Sequence, residues 1–127
     1  MERLKQFATS FKHAFRGLTY ALKNEKNFQN EMIIGALVVV AMFYFNVTRG
    51  EMVVLFVVIM AVLIMELLNT AMERVIDILR PKIHPYAKLV KDLMAASVLM
   101  MSLLTIILGL IIFLPYLVEK VQGWGLI

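Results

Sequence analysis

Cysteine is absent from this chain, so neither a disulfide framework nor a thiolate metal site can be built from it. Several catalytic signatures are missing too. There is no Gly-x-x-x-x-Gly-Lys-Ser/Thr loop, which excludes a P-loop protein, and no His-Glu-x-x-His pair for zinc. Gly-rich, His-Arg-Asp and Asp-Phe-Gly elements of the protein-kinase type are lacking as well. With 17% charged residues and three prolines, the chain is neither disordered nor collagenous. No cleavable signal peptide is evident, because the first 30 residues are too charged and hold no continuous apolar core. What fills these gaps is apolar. The 127 residues are 61% hydrophobic with a mean hydropathy of +0.83, against about 45–50% in soluble domains. Residues 1–127 therefore read as one membrane domain.

Met1 to Lys26 reads as an amphipathic helix. Phe7, Phe11, Ala14, Phe15, Leu18 and Leu22 recur at spacings of three and four, with Lys5, Lys12, His13, Arg16 and Lys23 on other faces. A basic amphipathic segment before a span suits the interface plane. Asn24 to Asn30 forms a polar bend containing Glu25. Met32 to Phe45 is apolar over only 14 residues, short of the ~20 that cross a hydrocarbon core. Extended back through Phe28 and Glu31, with polar groups facing the bundle interior, it becomes a span over about 28–46. The tight connector Asn46 to Glu51 makes the next helix, about 51–78, an antiparallel neighbour. Arg80-Pro81-Lys82-Ile83-His84-Pro85 ends it. A third membrane helix, about 86–118, includes 26 residues without a charge, Leu93 to Val118. Its Ala95, Ala96, Ser97, Ser102, Thr105 and Gly109 suit close helix contacts.

One stretch breaks this apolar pattern. Glu66-Leu67-Leu68-Asn69-Thr70-Ala71-Met72-Glu73-Arg74-Val75-Ile76-Asp77 follows the unbroken apolar run Met52 to Met65. At about 100° per residue, Glu66, Asn69, Glu73 and Asp77 fall at roughly 0°, 300°, 340° and 20°. Three carboxylates on one narrow face repel one another unless something positive accompanies them. Ionisable groups in or near a bilayer are expensive and mark functional sites with partners. Here the partner is an arginine or lysine, a proton, or a divalent metal with phosphates.

Charge bias orients the chain. Six Lys/Arg precede the first span and five lie between Arg74 and Lys91, whereas the 46–51 connector holds only Arg49 and the tail only Lys120. The positive-inside rule places the N-terminus and the 78–92 loop in the cytoplasm. Glu25, the Glu66–Asp77 face and Lys91-Asp92 then gather at one membrane face. The spans carry no polar path to the other side, which favours a reaction at the inner interface over transport. The basic residues sit beside apolar spans, so headgroups or phosphates suit the net charge of +4 better than nucleic acid does. Paired carboxylates suit Mg²⁺, which takes oxygen ligands alongside substrate phosphates, and a further carboxylate suits a base for a hydroxyl nucleophile. Glu66 and Glu73, about 10 Å apart along the axis, cannot share one ion within one chain. The plain alternatives are solvated carboxylates, or charges paired with Arg74 and Lys91. Likewise Asn69 reads as helix glue, Asp77 as a partner for Arg80, and Lys91-Asp92 as a solvated helix start.

Glu66-x-x-Asn69-Thr70-Ala71-Met72-Glu73-x-x-x-Asp77, with Asn24-Glu25, His84-Pro85 and Lys91-Asp92, resembles the signature of the small bacterial integral-membrane diacylglycerol kinases, a family that includes undecaprenol kinases. The resemblance spans roughly residues 5 to 115. It implies a homotrimer of three-span subunits in the bacterial inner membrane, each with an N-terminal interfacial helix and with active sites shared between neighbours. MgATP would phosphorylate a lipid hydroxyl. By correspondence Glu66 is the general base with Asn69 in support, Glu25 and Glu73 hold Mg²⁺ on ATP, and Lys91, Asp92, His84 and the His13 position face the nucleotide. The chain departs from the diacylglycerol kinase pattern at Gln6, where arginine is expected, at His13, where tyrosine is, and at Met94, where a small residue is. Its 80–85 loop resembles the Gram-positive branch. The expectation is a lipid kinase, with diacylglycerol the favoured acceptor, undecaprenol the alternative, and a non-enzymatic transporter subunit or scaffold the opposing class.

Overall fold

The computed structural model describes residues 1–79 and 85–124, all four of whose elements are helices: α1 (Glu2–Asn24), α2 (Lys26–Phe45), α3 (Arg49–Leu79) and α4 (Pro85–Gly123). Three of them, α2, α3 and α4, are long and apolar enough to cross a membrane. The protein is thus an all-α bundle of three spans with an additional N-terminal helix. In lipid, each backbone polar group of a span must be satisfied within its own segment, which is why the spans are helices.

A single extended residue turns α1 into α2. Glu25 has φ −106° and ψ 105°, its N–H closes α1 on the Ala21 carbonyl at 3.0 Å, and its own carbonyl accepts the Gln29 N–H at 3.0 Å to open α2. No glycine or proline is needed, because side chains hold the corner. Asn24 Nδ2 donates back to the Tyr20 carbonyl, and Gln29 Nε2 donates across the bend to the Leu22 carbonyl, both at 2.9 Å. Ala21 and Phe28 are buried beneath the bend with Leu63 of α3.

The α2–α3 connection is equally specified. Asn46 takes the left-handed conformation at φ 51°, its N–H meets the Phe43 carbonyl, and the Val47 N–H reaches back to the Met42 carbonyl at 3.2 Å. This is a Schellman-type ending, and Val47 packs with Met42 in one buried cluster as that motif requires. Thr48 and Glu51 then cap α3 reciprocally. Glu51 Oε2 accepts from the Thr48 N–H and hydroxyl at 2.8 Å each, while the Glu51 N–H donates to Thr48 Oγ1 at 3.3 Å. The pattern is a capping box. The hydroxyl of Tyr116 on α4 donates to the same Glu51 oxygen at 2.6 Å, tying the third span to this rim.

Helix α3 packs most extensively on α4, then on α2. The α3–α4 pair is antiparallel: Tyr116 meets Glu51 at one end, and Ile76 shares a groove with Tyr86, Ala87 and Val90 at the other. Helix α4 continues through Pro115 to Gly123, beyond the expected end near 118. There Lys120 Nζ stacks 3.5 Å from the Tyr44 ring centroid, a cation–π contact that binds the last turn to α2.

Association of spans in lipid depends on close packing rather than on release of water. Gly35 shows where packing is tightest: a Cβ placed there would lie 3.0 Å from Ile59 Cγ2. Gly35→Leu should therefore push α2 from α3 and lower stability by about 1–3 kcal/mol, with Gly35→Ala losing less. Thermal unfolding in detergent micelles checks this, and an unchanged Tm for Gly35→Leu would refute close packing there.

Candidate active site

The polar face of α3 joins its buried stripe at Glu66 and Asn69, while Glu73 is half-buried and Asp77 exposed. Leu55, Val58, Val62, Leu63, Glu66, Asn69, Thr70 and Ile76 are the buried residues of this helix. At about 100° per residue they fall within a sector of roughly 140°. Glu66 is only 3% exposed and Asn69 7%. A carboxylate at the buried centre of an apolar helix would be costly without compensation. Asn27 on α2 stands near Glu66 as an amide neighbour, together with the acidic Glu31, Glu73 and Glu25. On α2, Asn27 and Glu31 share the sector of the buried Phe28, Gly35 and Met42. Two helices thus turn acidic and amide groups toward one another.

Glu25 enters this group from the α1–α2 corner. Its side chain is 16% exposed and lies 2.5 Å, Oε1 to NH2, from Arg74 on α3, which also approaches Asp77 at 3.8 Å. Arg74 thus pairs with Glu25 and Asp77 rather than with Glu66 or Glu73. Among the described residues neither Glu66 nor Glu73 has a basic side chain within 4.0 Å. The buried Oδ1 of Asn69 has no hydrogen-bond partner there either. Buried polar atoms are almost always paired, so this orphan acceptor marks a place where a donor is missing from the single chain.

The remaining expected site residues are more dispersed. Lys91 and Asp92 lie exposed on the second turn of α4. Relative to Ala87 and Val90, which face α3, Asp92 is about 170° around the helix from the α3-facing side. It points away from this chain's own carboxylates. His13 is exposed on α1 and joins no hydrogen bond or ion pair among the described residues. His84 and the 80–83 part of its loop lie outside the described residues.

Sequence reasoning gave no individual role to Asn27 or Arg74. Asn27 was readable only as one of four asparagines and glutamines in the polar bend, and Arg74 only as a possible partner of the α3 glutamates. Their signal is spatial. Glu31 was legible as a polar group facing the interior of an otherwise apolar span.

The donor set suits a hard divalent cation. Mg²⁺ is held by one or two carboxylates together with water and phosphate oxygens. Glu25, at the α1–α2 corner, and Glu73, on α3 one residue before the Arg74 that meets Glu25, both act on Glu66 electrostatically. Among the described residues no three acidic or histidine side chains cluster as a ready-made cage, and a two-carboxylate arrangement does not need one.

Residues 12–113 match the prokaryotic diacylglycerol kinase family. The chain belongs to that family. It is similar to an undecaprenol kinase of Bacillus subtilis, with 37% identity over 90% of this chain and 93% of the relative. A Synechocystis diacylglycerol kinase is 34% identical over 87% of this chain and 63% of the relative. One from Haemophilus influenzae is 30% identical over 87% and 94%. As a member of this prokaryotic diacylglycerol kinase family the protein is a phosphotransferase acting on a lipid alcohol, and the transporter and scaffold readings fall away.

Proposed function

We propose that this kinase transfers the γ-phosphoryl group of ATP to the hydroxyl of a membrane lipid, with undecaprenol the favoured acceptor and diacylglycerol the second. The observation that carries the reaction is the buried Glu66, with no basic side chain within 4.0 Å among the described residues, on the same face as Asn69, whose Oδ1 has no partner among them. The order of acceptors reverses the expectation from sequence. It is supported by the greater identity to the undecaprenol kinase, 37% against 34% and 30% for diacylglycerol kinases.

Depth separates the roles along α3. Counting about 1.5 Å per residue from Met52, Glu66 lies ~21 Å into a hydrocarbon layer of ~30 Å, and Glu73 lies at about its edge. Glu66 is thus level with a lipid hydroxyl drawn slightly below the headgroups and acts as the base that takes its proton. Asn27 holds the Glu66 carboxylate, and the free Oδ1 of Asn69 accepts from the incoming hydroxyl to orient it. Beside this level of α3, Met65, Ser97, Met100, Met101 and Leu104 line a cavity of about 490 Å³. Its methionines adapt to irregular apolar chains.

Glu25 and Glu73, nearer the water, hold Mg²⁺. When bound, Mg²⁺ offsets the charge on the transferring phosphates. Lys91, Asp92, His13 and His84 serve the nucleotide side. The outward aim of Asp92 and the incomplete partnering of Asn69 support a site shared between subunits of a homotrimer. The exposed Phe7, Phe11, Phe15 and Leu18 of α1 support its lying in the interface plane, and the lysine and arginine bias supports a cytoplasmic N-terminus at the bacterial inner membrane.

A γ-³²P transfer assay in mixed micelles, offering undecaprenol and diacylglycerol in parallel with and without Mg²⁺, tests this reading. Mg²⁺-dependent product with undecaprenol in excess is expected. Product only from diacylglycerol would reverse the acceptor order, and none from either would refute both acceptors.

A further inference from the structure

We infer that Arg74 is a placeholder for the divalent cation: a positioning residue that holds the Glu25 carboxylate while the metal is away and releases it when the metal binds. This rests on the reading of Glu25 and Glu73 as the metal-holding pair.

Glu25 occupies the N-cap position of α2, yet it makes no side-chain cap hydrogen bond. Capping from this position is the work of shorter side chains such as Asp, Asn, Ser and Thr, so the Glu25 carboxylate is free for another partner. Here the carboxylate reaches across to α3, where Arg74 NH2 meets Oε1 at 2.5 Å. Arg74 is the basic group that contacts Glu25 among the described residues, and Glu25, Glu31 and Glu73 act on Glu66 at longer range. It supplies one positive charge beside these carboxylates. A divalent ion brings two.

The contact is also built to be given up. Arg74 is 53% exposed while Glu25 is 16% exposed, so the guanidinium can move into water without leaving a cavity. Asp77, one turn on at 3.8 Å from NH1, remains beside it once Glu25 is released. Part-exposed ion pairs are weak, so a second, doubly charged partner can displace this one.

The sign of one measurement decides between a placeholder and a mere brace. If Arg74 competes with the metal, removing its charge strengthens metal binding. If it only braces Glu25, removal weakens binding. The test is Mn²⁺ titration of the full chain in detergent micelles, without nucleotide, followed by electron paramagnetic resonance. Arg74→Gln should bind Mn²⁺ about two- to fivefold more tightly than the parent, Arg74→Lys should fall between them, and Glu25→Gln and Glu73→Gln should lose the site. Equal or weaker binding in Arg74→Gln, with loss in the two glutamate variants, would overturn the placeholder and leave the metal pair standing. Unchanged binding in both glutamate variants would remove the metal pair and the placeholder with it.

Discussion

Replacing Glu66 by glutamine is expected to lower phosphoryl transfer by about 10²–10⁴-fold, the usual contribution of a positioned general base, while the folded protein becomes no less stable. Both halves follow from the same geometry. Glu66 is 3% exposed, with the acidic Glu31, Glu73 and Glu25 and the amide of Asn27 as its polar neighbours. An isosteric amide removes a buried charge from a group of like charges. Breaking a buried ion pair would destabilise the protein, but among the described residues Glu66 has no basic partner to be orphaned, so that cost does not arise. Function at the expense of stability is the usual trade in such sites. Transfer rates measured beside thermal unfolding separate the outcomes. A variant that is inactive because it is unfolded would contradict the argument, and one that retains activity would remove Glu66 as the base.

The readable part of this molecule was its periodicity. The apolar run Met52 to Met65 followed by Glu66, Asn69 and Glu73 at helical spacing places a polar stripe on one face, and the structure buries its Glu66 and Asn69 and leaves Glu73 half-buried. The bundle of three spans came from length and hydropathy alone, since lipid permits few other structures for such segments.

What was not readable depends on contacts across the chain. The corner at Glu25 carries no glycine or proline to announce it and rests on Asn24, Gln29 and the Tyr20 and Leu22 carbonyls. The Thr48-x-x-Glu51 capping box was available as a pattern, but the Tyr116 bond to Glu51, across 65 residues, was not. The third span was expected to end near 118, yet α4 continues to Gly123 because Tyr116 and Lys120 still find partners on α3 and α2. Arg74 was weighed as a counter-ion for Glu66 or Glu73 but stands against Glu25, a residue 49 positions away. Helix geometry aligns residues on one helix and says nothing about which neighbour crosses it.

Glu73→Gln should reduce transfer by at least about 10²-fold, equivalent to roughly 3 kcal/mol of lost charge stabilisation, and it should do so through the metal. Glu73 shares the polar face with Glu66 but lies two turns further toward the water, about 10 Å along the axis, too far for both to serve the same atom. Glu66 would meet the lipid hydroxyl and Glu73 the phosphate end, so the two substitutions should differ in kind. In Glu73→Gln the Mg²⁺ concentration for half-maximal rate should rise and Mn²⁺ binding should fall. In Glu66→Gln both should stay near the parent values while the chemical step slows. The double variant should be little worse than the poorer single one, because residues that serve one step lose their effects together. Equal metal dependence in both single variants would mean that depth does not divide the roles, and the assignment along α3 would have to be redrawn.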